Sequence, residues 1–198
     1  RGKKLGYSVG AFNGSGESRR QNNTAVMWSA RVWADPRGEY KLSESATEAP
    51  AKGLLHVGLA VRGGDAIKGG RTTVVQYPDD QTAVALELAW KKHAAFLTGE
   101  AFWQKSQVAN PAEGPDVEAL GWHLQGGYMV LTRRLELAGR YAEVDPDREA
   151  SGDRTTELRG GINYYWKGHN LTLQPDLGRL TSAPGGPGRS SRRAAARE

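Results

Sequence analysis

The chain has 198 residues, is 38% hydrophobic with a mean hydropathy of −0.62, and contains no cysteine. That excludes disulfides, thiolate catalysis and Cys-based metal sites. Its longest charge-free, apolar-leaning run, Ala119 to Thr132, is too short and too polar for a spanning helix, which needs about 20 apolar residues. The net charge of +5 belongs to the end of the chain: five Arg and one Glu stand from Arg179 onward, leaving 22 basic and 21 acidic side chains before it.

In chain order, Leu5, Tyr7, Val9 and Ala11 alternate with Gly6, Ser8 and Gly10, a first strand that ends at the turn signal Asn13-Gly14. After a polar loop, Val26, Trp28, Ala30 and Val32 share one face of a second strand over Thr24 to Ala34. Asp35 opens a connection of 19 residues to Gly53, with room for a minor strand at Glu39–Leu42. Leu55, Val57, Leu59 and Val61 then oppose His56, Gly58, Ala60 and Arg62. A long Gly-rich loop leads to Thr82, Val84, Leu86, Leu88 and Trp90, which oppose Ala83, Ala85, Glu87, Ala89 and Lys91.

Lys92-His93 makes a short turn into the strand from Ala95 to Gln104. A long loop leads to the strand from Leu120, and Thr132-Arg133-Arg134 makes the next tight turn. A strand from Leu135, a polar connection from Asp145 to about Thr155, and a strand ending near Lys167 follow. Gly168-His169-Asn170 turns into a last strand reaching Leu177, after which TSAPGGPGRSSRRAAARE lacks period-2 patterning.

Strands of about 10 residues, apolar on one face and polar on the other, joined by alternating long and short connections, are the signature of an outer-membrane β-barrel. Connections alternate in this way from Leu54 to Leu177. Only the 19-residue connection departs from the alternation. Trp90 and Trp166 stand where strands enter short turns, and Trp103 and Trp122 flank one long loop, as two interfacial girdles would require. The fold class predicted is all-β, an antiparallel, porin-like transmembrane β-barrel, incomplete at about nine or ten strands. Residues 1–180 form the barrel segment and residues 181–198 a disordered, basic, low-complexity tail.

The segments YSVGAFNG (7–14), LAGRYAEVDP (137–146) and GINYYWKGHNL (161–171), continued by LTLQPD (171–176), resemble the C-terminal half of the phosphate-selective porin O and P family. The resemblance covers about residues 1–180. It implies a bacterial outer-membrane channel of roughly 16 strands for passive diffusion of small anions such as phosphate, a homotrimer when intact, surrounded by outer-membrane lipid. The chain then reads as a fragment that begins mid-barrel, without a signal peptide. The family's closing strand with its terminal aromatic is replaced by the basic tail, a departure ascribed to a reading-frame shift or a misassembled gene.

In a channel, selectivity is electrostatic, and rings of Arg and Lys favour anions. Strand parity turns Lys4, Arg31, Arg62, Lys91, Arg140, Arg159 and Lys167 inward as pore-lining candidates, against the acids Glu87, Glu100, Glu136, Glu157 and Asp176. Glu136 with Arg140, and Glu157 with Arg159, are candidate neutralising pairs. No catalytic residue, metal, cofactor or nucleic-acid partner is expected. His56, His93, His123 and His169 lack ligand spacing, and Gly63-Gly64 and Gly69-Gly70 lack a P-loop Lys. The alternative is a soluble or surface-exposed β-sheet protein that binds through its long loops.

Overall fold

The computed structural model describes residues 5–13, 26–41, 45–66, 79–107, 115–166 and 171–183. Ten strands follow one another without an intervening helix among the described residues: β1 (Leu5–Asn13), β2 (Val26–Ala34), β3 (Leu54–Ala66), β4 (Asp79–Lys92), β5 (Ala95–Gln107), β6 (Val117–Leu131), β7 (Leu135–Asp145), β8 (Thr155–Tyr165), β9 (Thr172–Leu173) and β10 (Asp176–Ser182). They build one antiparallel sheet in the order β1-β2-β3-β4-β5-β6-β7-β8-β10, with the short β9 also paired to β8. Strand order is chain order, and the sheet is not closed: β1 and β10 are its edges.

Alternation sorts every strand's side chains onto two faces, and the pairing register carries each face across the sheet. Val32 pairs with Leu59, Leu59 with Leu86, Leu86 with Ala101, and Ala101 with Trp122. One residue along, Arg31 pairs with Ala60, Ala60 with Ala85, Ala85 with Phe102, and Phe102 with Gly121. The first row belongs to an apolar face whose large side chains stay uncovered: Tyr7, Leu86, Tyr128, Leu158 and Trp166 are all exposed. On this face Trp28, Trp103 and Trp122 lie toward the long connections, and Trp90 and Trp166 toward the short ones.

The short connections are tight turns at His93-Ala94 and Thr132-Arg133-Arg134, where His93 (φ 52°) and Arg133 (φ 63°) take left-handed backbone. The turn expected at Lys92-His93 is therefore shifted by one residue. The expected last strand is divided into β9 and β10, because Pro175 has no N–H for the ladder. Its carbonyl instead accepts a bond from Ile162 N at 3.1 Å. No strand forms at 39–41, and Leu42 lies outside the described residues. The turn at 168–170, like the tail from 184 onward, also lies outside them.

The 19-residue connection between β2 and β3 is a strap laid over the polar face at its short-turn end. Its Ala46 packs with Phe96 of β5, Met129 of β6 and Tyr165 of β8, all buried. Pro50 O accepts a bond from His93 N at 2.9 Å, which fastens the strap to the β4–β5 turn. Phe96 in turn covers Gly127, its register partner, where a Cβ would collide with the ring. The well-packed core of this sheet therefore sits beneath the strap rather than between two layers.

Candidate functional site

The polar face is the place where charge is concentrated and fixed. From β2 to β4, Arg31 grips Glu87 as a fork, Nε to Oε1 at 2.8 Å and Nη2 to Oε2 at 2.5 Å. Such two-pronged guanidinium–carboxylate pairs are the stronger and more directional kind. Gly58, the register partner of Glu87, leaves the space that lets this side chain lie across the sheet. Arg31 also lies 4.9 Å from the Trp33 ring centroid.

The strap extends the network. Asp35 Oδ1 lies 2.7 Å from His56 Nδ1, its Oδ2 accepts a bond from Tyr40 N at 3.1 Å, and His56 Nε2 is 3.5 Å from Glu87 Oε2. Lys91 donates from Nζ to Lys41 O at 3.1 Å and lies 4.6 Å from the Tyr40 ring. Farther along the covered end, Glu136 Oε1 accepts bonds from Asn163 Nδ2 at 2.9 Å and Tyr165 Oη at 3.1 Å. Tyr40 is buried, and burial pushes its phenol up to about 12.

Toward the β8–β10 edge, Arg140 and Arg159 are direct register partners, like charges on neighbouring strands. Carboxylates offset the repulsion. Arg159 binds Asp176 and lies 3.5 Å from Glu157, whose other oxygen is 3.9 Å from Arg140. Arg62 is different. Its Nη2 donates to the neutral Gln104 Oε1 at 2.6 Å, and among the described residues it has no carboxylate partner.

Residues 4–181 match the model of one protein family, described as phosphate-selective porin O and P. The chain belongs to the phosphate-selective porin O and P family. No curated protein and no solved structure matches it. Porins of this family are channels rather than enzymes, and the two-faced antiparallel sheet fits the wall of such a β-barrel.

Of the seven inward-facing basic candidates in this porin sheet, Arg31, Arg62, Lys91, Arg140 and Arg159 share the polar face, whereas Lys4 and Lys167 lie outside the described residues. All five predicted acids share it too. Lys91 and Glu136 are buried beneath the strap. Glu136 joins Asn163 and Tyr165 rather than Arg140, its expected partner, which instead faces Glu157. Sequence reasoning missed Asp35 and Tyr40, which organise the covered end. Two signals could have found them: the length of the β2–β3 connection, and a histidine, His56, turned toward a face that otherwise carries ion pairs.

Proposed function

We propose that the chain forms part of the wall of an outer-membrane channel through which small anions, phosphate among them, diffuse passively. One observation carries this reading. A single register separates an uncovered band of Leu, Val, Trp and Tyr from a face of fixed Arg, Lys, Glu and Gln. A soluble sheet buries its apolar face, whereas a membrane wall turns that face to lipid and its charges to the lumen. In this reading the strap narrows the lumen at the short-turn end, the apolar band contacts outer-membrane lipid, and the intact channel is a homotrimer. Arg31, Arg62, Arg140 and Arg159 line the pore, together with Lys4 and Lys167, while Lys91 supports the strap.

The test is refolding of the full chain into detergent micelles, followed by far-UV circular dichroism and a gel of heated against unheated samples. Strand-rich spectra that require detergent, a heat-dependent mobility shift, and an anion-signed reversal potential in a planar bilayer under a KCl gradient are expected. A folded monomer in plain buffer would overturn the reading in favour of a soluble binding protein.

A further inference from the structure

The strap leaves the long-connection half of the polar face open, and that half is not uniformly polar. Between Arg31 and Arg62 runs a groove of about 410 Å³ whose floor is Ala60, Ala83 and Ala85 and whose wall is Phe102. Phe102 is 45% exposed, although Phe96, on the same face of the same strand, is buried under the strap. An aromatic left this open forgoes much of the stabilisation that burial would bring. Its register partners Ala85 and Gly121 are too small to cover it.

The cation beside this ring is not neutralised by any described residue. Arg31 is committed to Glu87 through both prongs, but Arg62 meets Gln104. Gln104 is itself held, donating from Nε2 to the buried Ser106 Oγ at 3.3 Å. The guanidinium of Arg62 is therefore positioned while its positive charge has no opposing carboxylate among the described residues.

A pre-positioned charge, a smooth Ala floor and an open aromatic ring call for a solute with one negative group and an apolar body. Inorganic phosphate has no such body and would leave the ring and floor wet. We infer that this groove is a binding subsite for organic monoanions, such as aromatic carboxylates, with Arg62 taking the carboxylate and Phe102 the ring. The inference deepens the channel reading and rests on it for its role in transport, although binding itself does not depend on conduction.

The probe is benzoate, applied to the full chain refolded in detergent and inserted in a bilayer carrying chloride current. Benzoate should interrupt the current in brief blocks. Arg62→Gln should raise the half-blocking concentration about tenfold or more, as removal of one charge-assisted hydrogen bond requires. Phe102→Ala should raise it several-fold, Arg148→Gln in the β7–β8 loop should leave it unchanged, and equimolar phosphate should not relieve the block. A conducting wild type that is not blocked, or one whose block survives in Arg62→Gln, overturns the subsite.

Saturation-transfer NMR of benzoate with the micellar protein separates the two readings. A benzoate ring signal that is present in the wild type and vanishes in Phe102→Ala, without any conductance, would keep the subsite and sink the channel. Absence of both signal and conductance would sink the two together.

Discussion

Gly64 lies at φ +126°, and a Cβ there would collide with the Val26 carbonyl oxygen. No rotamer relieves a clash with backbone, so Gly64→Ala must move β2 or β3. The expected cost is roughly 1–3 kcal/mol. Gly139→Ala, whose Cβ would meet nothing nearer than 3.7 Å, is expected to be close to neutral. Urea midpoints of the micellar protein, followed by circular dichroism, should separate the two variants.

Tyr40 provides a second prediction at this scale. Its folded pKa is raised to about 12 from 10.0, so between these values the unfolded strap releases a proton that the docked strap retains. The Tyr40 contribution to strap docking should be constant below about pH 10 and fall away as the pH rises toward about 12, and that fall should be lost in Tyr40→Phe. Exchange rates of the strap amides against pH would show it.

Among the elements, the strap is the one whose removal says most. Its attachment depends on Asp35, which holds His56 and the Tyr40 amide with its two oxygens. Asp35→Asn removes the charge from both bonds and should cost about 1.5–3 kcal/mol locally. Faster tryptic cleavage at Arg37 and Lys52, with the far-UV spectrum unchanged, is the expected signature.

The strands are largely legible in the sequence because period-2 patterning is local. Leu55, Val57 and Leu59 can be assigned to one face from their spacing alone, and the pairing with β4 preserves that assignment. The strap is not legible, since Ala46 is buried by Phe96, Met129 and Tyr165, residues 50 to 119 positions away that no local window contains. The candidate site divides in the same way. Parity places Arg62 and Arg140 on the polar face, but that Arg140 faces Glu157 rather than Glu136, and Arg62 a neutral amide, follows only from the third dimension.

β10 shows where patterning stops. Asp176 and Leu177 keep the polar and apolar sides, but then Arg179 pairs with Leu158 on the apolar face and Leu180 with Glu157 on the polar one. The inversion begins at Arg179, where the basic composition also begins.

For the molecule as a whole, the two faces should differ in what they tolerate. Leu86 lies mid-strand on the exposed apolar face, and Ala85 beside it on the polar face. If lipid covers the first, Leu86→Arg should cost about 2–4 kcal/mol in micelles or bilayers. Ala85→Ser should cost little, since its side of the sheet already holds ion pairs and water-accessible amides. Equal tolerance of both substitutions, measured by urea titration in lipid vesicles, would show that no bilayer contacts the apolar band.

From β1 to β8 each strand hydrogen-bonds to its neighbours in sequence. The hairpin is therefore the natural unit of growth. Inserting or deleting one changes the circumference of a wall by two strands while leaving every other pairing intact, and barrel diameter scales roughly with strand number. A sheet wound in this order can gain or lose width piecewise, with the strap anchored between β3 and β8 and untouched by what is added at either edge.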